Sequence, residues 1–196
     1  MVSFDTEQLI LVNDADVQIG QLAKGECHHT NGKLHRAFSV FVFNPLNQTI
    51  LLQRRAKAKL LWGGYWSNTC CSHPRAGEVI LEAANRRLAE ELGLHCKLEY
   101  CYQFQYRAEF RDSNEVHIGT ENELCHVFVG ISSDLPTANV NEVSDWRYES
   151  IDVLDKKIAE SPEIFTPWLK LEWQMLREQY FNKTQSLIQS SEHLGR

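Results

Sequence analysis

The sequence predicts an α/β protein, and three patterns support this fold class. Side chains of residues 98–107 alternate with a period of two, which is typical of a strand. Apolar side chains recur at helical spacing from Leu81 to Leu92, and Gly93 follows as a residue that commonly ends helices. Short apolar runs bounded by turn-forming residues predict further strands. We therefore expect a sheet packed against helices.

Composition narrows the class of protein. The chain has 196 residues, 43% of them hydrophobic and 23% charged, which suits one domain with a core at about residues 9–182 and a polar, frayed tail at 183–196. A formal net charge of −6 argues against nonspecific nucleic-acid binding. Without a secretory leader or an apolar run near the roughly 20 residues of a membrane span, we expect a cytoplasmic protein. The sequence carries no signal for an oligomeric state.

The cysteines are read as free thiols. Their even number, six, is only weak support for disulfides, because a chain of this size needs no cross-link and the spacings do not repeat. Cys70 and Cys71 are adjacent in an extended segment, so at most one of them faces a given cleft. The chain has no C-x-x-C pair, which argues against a structural zinc ribbon.

A histidine-rich stretch follows the first predicted strand, residues 9–13. His28, His29 and His35 fall within eight positions, just before a second strand at residues 37–43. A lone histidine would by default be a surface or core residue. This density next to a strand makes metal ligation a candidate instead.

A predicted hairpin, residues 41–52, leads to a local basic cluster at residues 54–59. Such a cluster is either a solvated loop or a site that captures an anion, since arginine binds phosphate oxygens in a bidentate fork and lysine acts as a mobile charge. An aromatic and glycine-rich approach, residues 62–66, then reaches Cys71 and His73.

The predicted helix has two faces and two residues between them. Its apolar stripe consists of Leu81, Ala84, Leu88 and Leu92, and its charged flank consists of Glu78, Glu82, Arg86 and Glu90. Arg87 and Glu91 fall between these faces. They form either an ordinary i,i+4 surface pair or groups that point into a cleft.

Two further strands flank a predicted polar loop, residues 109–119. The first places Tyr100, Tyr102, Phe104 and Tyr106 on one face, a stripe that is ordinarily core. The second, residues 121–129, places Glu121 and Glu123 on one face with Cα atoms about 7 Å apart. Two such carboxylates repel each other unless they bind a cation, share a proton or lie in open water. The nearby imidazoles favour the cation.

The C-terminal part predicts a strand near residues 145–148, a helix at 151–160 and a helix that begins at Pro167. The apolar side of the last helix comprises Trp168, Leu171, Met175 and Leu176. Trp168 is most simply a core residue.

The segment around the first helix resembles a degraded Nudix box. Aligned on Gly93, it reads Ser72, five residues, Glu78, seven residues, and then RRLAEELGL from Arg86. The Nudix resemblance implies a mixed sheet between helices, with additional N- and C-terminal elements. Ser72 stands where the family has its first glycine, and Arg87 where it has its first catalytic-helix glutamate. Because those glutamates hold the divalent ions that activate water, Arg87 argues against hydrolysis but not against diphosphate binding.

Two specific motifs narrow the resemblance. The run WSNTCCSHP over residues 66–74 is similar to the cysteine loop of the thiol-type, metal-dependent isopentenyl diphosphate isomerases, and ENE over residues 121–123 resembles their glutamate site. The similarity extends over about residues 9–168. It implies an enzyme that interconverts isopentenyl and dimethylallyl diphosphate, a small-molecule substrate pair that feeds isoprenoid biosynthesis.

The resemblance also assigns roles by position. The catalytic set is Cys71, Glu123, Tyr106 and Trp168. The diphosphate-binding set is Lys24, Arg55, Lys59 and Arg87. The metal set is His28, His35, His73, Glu121 and Glu123, for magnesium, manganese or zinc. Glu91, with the Cys71 backbone, would hold a second magnesium ion on the diphosphate.

Two alternatives stay open at this stage. A Nudix-type hydrolase would release phosphate from a nucleoside or other diphosphate with magnesium. A noncatalytic metal-binding module would leave Cys71 as a buried small hydrophobe, and Cys71→Ala would then change no activity on any isoprenoid diphosphate.

Overall fold

A nine-stranded mixed sheet forms the centre of the molecule in a computed structural model, which describes residues 4–180. The strands are β1 Gln8–Val12, β2 Gln18–Ala23, β3 His35–Asn44, β4 Thr49–Arg55, β5 Trp66–Ser67, β6 Cys70–Ser72, β7 Leu98–Arg111, β8 His117–Ile131 and β9 Val143–Ser150. The helices are α1 Lys24–Cys27, α2 Ile80–Leu92, α3 Ile151–Glu160, a 3₁₀ turn Pro162–Ile164 and α4 Pro167–Gln179. The predicted frayed tail lies outside the described residues.

Strand β3 is the hub of the sheet. It runs parallel to β8 and antiparallel to β6, and it also pairs with β1 and β4. A long antiparallel hairpin joins β7 to β8, while β4 pairs with β5 and β9. The sheet is therefore mixed, as the Nudix resemblance implies.

Helices cover both faces of this sheet. Along β3, Phe38 and Val40 pack on the side of α2, whereas Phe41 and Phe43 pack on the side of α3 and α4. This alternation is the period-two pattern of a strand that is buried on both faces. The predicted arrangement of a mixed sheet between helices is confirmed. None of the helices within residues 4–180 has the length and apolarity needed to cross a bilayer.

The predicted loop at residues 109–119 is wrong for most of its length. Strand β7 continues to Arg111 and β8 begins at His117, so only residues 112–116 form the turn. The Asp112 side chain accepts hydrogen bonds from the amides of Asn114 and Val116, both at 2.9 Å, and thereby closes the turn. A solvent-exposed hairpin has the same polar composition as a loop, which is why composition did not distinguish them.

Both predicted helix faces contain one misplaced leucine. Leu81 is 40% exposed and Leu171 is 44% exposed. Residues two apart on a helix lie about 200° apart, so the burial of Ala83 and Leu169 turns these leucines toward solvent. The aromatic stripe of β7 is also interrupted: a register shift between Tyr100 and Tyr102 leaves Tyr100 46% exposed.

Candidate metal and thiol site

Five predicted metal ligands from four separate segments converge. They are His28 after α1, His35 at the start of β3, His73 after β6, and Glu121 and Glu123 on β8. Their ligand atoms all lie within 4.8 Å of one another, and none of the side chains is more than 9% exposed. The parallel register of β3 and β8 sets His35 opposite Glu123, which explains how two distant segments meet.

Main-chain contacts position the first histidine. The amide of Thr120 donates to the carbonyl oxygen of His28 at 2.9 Å, which ties the segment after α1 to β8. Gly32 makes this approach possible: its φ is +67°, and a Cβ there would lie 2.9 Å from the Thr120 carbonyl oxygen. The glycine-punctuated stretch is therefore a compact connection that delivers His28 to the ligand cluster.

The donor atoms fit a divalent cation. Nε2 of His28, Nε2 of His35 and Oε2 of Glu121 are buried and make no hydrogen bond, although His28 Nε2 lies 2.9 Å from Glu121 Oε2. Nδ1 of His35 donates to the Lys33 carbonyl at 2.7 Å, which leaves the Nε2 lone pair directed at the cluster. Buried polar atoms without partners are costly, and a shared cation would satisfy all three.

The carboxylates favour their ionised form in this cluster. Burial acts to raise the pKa of Glu121 and the His28 imidazole acts to lower it, with a net result below the ordinary value. For Glu123, burial is likewise outweighed, by His35 and by the Tyr106 hydroxyl, which donates to Oε2 at 2.7 Å. The imidazoles differ. Burial and the neighbouring His35 hold the pKa of His73 well below its usual value. For His35, burial acts to lower the pKa, but Glu123 outweighs it and the pKa is raised. A neutral imidazole and ionised carboxylates are the forms that bind metals.

Cys71 faces a cavity while Cys70 faces the core, as predicted from their adjacency. Cys70 is fully buried on the α2 side of the sheet, and Cys71 lines a cavity of about 280 Å³. The polar side chains before them hold the loop: Asn68 donates to the carbonyls of Val40 and Cys70 at 3.2 and 2.8 Å, and Thr69 donates to that of Leu51 at 2.6 Å. These bonds satisfy main-chain carbonyls that burial removes from water.

Cys71 keeps its proton although a cation lies beside it. Arg55 does lie 3.6 Å from the sulfur, but burial dominates and raises the pKa to about 11. The thiol therefore carries its proton at neutral pH.

Trp168 forms one wall of the same cavity. Its indole nitrogen donates to Ser67 Oγ at 3.0 Å and to Asn68 Oδ1 at 3.2 Å, so the ring orientation is set by the thiol loop. The guanidinium of Arg55 lies 5.1 Å from the ring centroid, in the range of a cation–π contact. Trp168 is thus both a buried residue and a cavity residue.

The four predicted diphosphate-binding cations all line this cavity: Lys24, Arg55, Lys59 and Arg87. Gly63 keeps the segment around Lys59 compact, because a Cβ there would lie 2.6 Å from the Lys59 carbonyl oxygen. Burial and the neighbouring cations lower the pKa of Lys24. The cavity lining therefore carries four basic side chains.

Arg87 and Glu91 are buried, so they are not a surface pair. Arg87 Nη2 donates to Glu91 Oε1 at 2.5 Å, and the other oxygen of Glu91 accepts from Gln53 at 3.1 Å. Both oxygens of Glu91 thus have protein donors, and no ligand cluster forms around Glu91 within residues 4–180. Its role with a second magnesium ion stays a prediction.

Two acidic residues were missed. Glu142 lines the cavity and contacts Lys59 and Arg87. Glu172, one helical turn after Trp168, is fully buried and accepts a contact from the Cys125 thiol at 3.5 Å. No sequence pattern identified either one, because each becomes distinctive only through burial and distant partners.

The family comparisons agree with the motif assignment. The model of the NUDIX domain matches residues 33–169. The chain is 41% identical over 179 residues to the isopentenyl-diphosphate Delta-isomerase 1 of Photorhabdus laumondii, covering 90% of this chain and 98% of that protein. It is 44% identical over 164 residues to the isopentenyl-diphosphate Delta-isomerase of Pectobacterium atrosepticum, covering 84% and 88%.

Solved structures show the same fold at lower identity. A Deinococcus radiodurans protein matches with a TM-score of 0.70 and 21% identity, covering 89% of this chain and 99% of that one. The MutT protein of Methanosarcina mazei matches with a TM-score of 0.59 and 15% identity, covering 75% and 95%. At these identities the likeness concerns the fold alone.

Proposed function

Because this chain belongs to the isopentenyl-diphosphate Delta-isomerase family of Nudix proteins, we propose that it interconverts isopentenyl diphosphate and dimethylallyl diphosphate. One observation carries the proposal: a half-buried thiol, an indole, four members of the His/Glu cluster and four cations line a single cavity. The cations suit a diphosphate, and the indole suits a carbon skeleton that becomes positively charged.

Cys71 and Glu123 are the proposed acid and base. A proton added to the terminal alkene carbon gives a tertiary cation, and a proton removed from the neighbouring carbon, on the other face, completes the shift of the double bond. One proton enters and one leaves, so the isomers have equal composition. Because the reaction is reversible, the group that acts as acid in one direction acts as base in the other.

The surrounding residues protect and orient this pair. Trp168 offers its ring face to the cation, an interaction of about 2 kcal/mol when water is excluded. Tyr106 donates to Glu123 at 2.7 Å and so holds one carboxylate oxygen in place. Leu61 and Ile118 add to the apolar part of the lining, and an apolar lining disfavours water near the cation.

The five-residue cluster would hold a divalent ion, for which magnesium, manganese and zinc are the candidates. When bound, that ion supplies positive charge that keeps the Glu123 carboxylate oriented. The second magnesium ion, at Glu91 and the Cys71 backbone, is proposed only to assist the diphosphate end, and the assigned proton transfers do not depend on it.

The test is an isomerase assay after chelation and after restoring each metal, with wild type, Cys71→Ala and Glu123→Gln. Loss of a positioned acid or base lowers rates on the order of 10²–10⁴-fold, so each variant should lose activity on that scale. Cys96→Ala is the matched control, because Cys96 packs on the α2 side of the sheet, away from the cavity lining. A wild type that is inactive with every metal would overturn the function, and full activity in both variants would overturn the roles.

A Nudix-type hydrolase is the competing activity. Arg87 occupies the place of a metal-binding glutamate and is enclosed by Glu91 and Glu142, which leaves that position without a carboxylate for water activation. Phosphate release from a nucleoside diphosphate with magnesium would restore this alternative.

A further inference from the structure

Glu142 is an acidic residue among the cations of the cavity. It precedes β9, and its side chain is only 1% exposed. Its Oε2 atom makes an ion pair with Lys59 Nζ and lies 3.3 Å from Arg87 Nη2. One carboxylate oxygen thus joins two of the four cations that line the cavity.

The main chain of Glu142 strengthens this junction. Its carbonyl oxygen accepts from the amide of Ala56 at 2.9 Å, at the start of the segment that carries Lys59. Its amide donates to the Asn139 carbonyl at 2.9 Å, and the Asn139 amide donates to the Glu91 carbonyl at 2.8 Å. Glu142 therefore links the Lys59 segment, β9 and the end of α2.

Repulsion among the four cations explains why a carboxylate is needed between them. Lys24, Lys59, Arg55 and Arg87 face one small space, and like charges at short range repel one another. Lysine in particular has a flexible stem, and its charge would move away from such neighbours unless an anion held it. A buried carboxylate that contacts both a lysine and an arginine opposes that movement before any substrate arrives.

We propose that Glu142 is a positioning residue that holds Lys59 and Arg87 at the spacing required by a diphosphate. The proposal deepens the isomerase function and rests on it for the identity of the substrate. Glu142 itself does not touch the reacting carbons. Its loss should weaken diphosphate binding and leave the proton transfers largely intact.

The experiment compares wild type, Glu142→Gln, Glu142→Asp and the control Asp145→Asn. Asp145 is an exposed carboxylate three residues away, and its side chain contacts only the following amide in the contacts described. We expect Glu142→Gln to raise KM for isopentenyl diphosphate about tenfold and to change kcat less than threefold, as for a hydrogen bond to a charged group. Glu142→Asp keeps the charge with a shorter reach and should fall between wild type and Glu142→Gln.

Calorimetric titration with inorganic diphosphate and magnesium separates this proposal from the isomerase assignment. Weaker binding to Glu142→Gln supports the positioning role even if no isomerase activity is found. Equal or tighter binding to Glu142→Gln would overturn it, because the carboxylate would then be inert or would merely repel phosphate. Failure of wild type to bind diphosphate would overturn it as well. If Glu142→Gln does not fold, as judged by thermal unfolding, an unchanged KM in Glu142→Asp would be the contradicting result.

Discussion

Two parts of the site, the His/Glu cluster and the four basic side chains, are built differently. In the His/Glu cluster, β3 and β8 lie side by side, and their register places His35 beside Glu123. Among the basic side chains, Lys59 from a loop and Arg87 from α2 are held by ion pairs with Glu142 and Glu91. Strand pairing fixes the register of the residues that carry these side chains, whereas lysine and arginine reach their partners on long, flexible stems. The difference matches the tasks, because proton transfer requires close geometry and diphosphate binding tolerates adjustment.

The largest effect is expected from a substitution in the His/Glu cluster. Glu121→Gln removes a negative charge from the cluster, so we expect metal content to fall from about one ion per chain to near zero and isomerase activity to drop at least 100-fold. Elemental analysis after dialysis measures the metal content, and the isomerase assay measures the activity. Glu115→Gln, on the turn of the same hairpin, is the control. A Glu121→Gln protein with full metal content would contradict the ligand assignment.

A second test concerns Glu172, which is fully buried and contacts Cys125 on β8. Burial raises the pKa of Glu172 to about 8, so the folded protein keeps a proton there that the unfolded chain releases near its ordinary pKa. The stability of wild type relative to Glu172→Gln should therefore be greatest at low pH and should fall as the pH rises toward 8. At about 1.4 kcal/mol per pKa unit, the change amounts to a few kcal/mol.

Urea unfolding of both proteins at pH 5.5 and pH 8.5 measures that change. Effects of pH on the metal ligands are common to the two proteins and cancel in the comparison. An equal pH dependence in wild type and Glu172→Gln would show that Glu172 does not titrate in this range.

A smaller effect is expected at Trp168, which forms one wall of the cavity. Trp168→Leu keeps an apolar side chain but loses the ring face, so kcat should fall about 30-fold, the equivalent of about 2 kcal/mol of cation–π stabilisation. KM should change little. Trp146→Leu is the control, since Trp146 packs on the α2 side of the sheet. A larger change in KM than in kcat would assign Trp168 to binding instead.

The smallest effect is expected at the four basic side chains of the cavity. Lys24→Met removes one of four cations, so KM should rise about tenfold with kcat within threefold of wild type. Lys57→Met, in the exposed part of the basic cluster, should leave both parameters unchanged. A strong loss of kcat in Lys24→Met would mean that Lys24 takes part in the isomerisation step as well as in diphosphate binding.

Local patterns in the sequence predicted most of the longer elements, and the family resemblance supplied the roles of the site residues. A short apolar run identified β3, alternation identified β7 and helical spacing identified α2, and the last two periods follow from backbone geometry alone. The prediction that five His and Glu side chains gather around one point also followed from residue type and motif, and the structure brings them together.

Tertiary structure alone decided the properties that depend on burial and on distant partners. The pKa of Cys71 rises because desolvation outweighs the adjacent Arg55, and no sequence pattern measures that balance. Glu142 meets Lys59 from 83 positions away, and that contact exists only once β4 and β9 have paired. Periodicity is a property of the chain itself, whereas desolvation and charge pairing arise from which segments the fold places in contact.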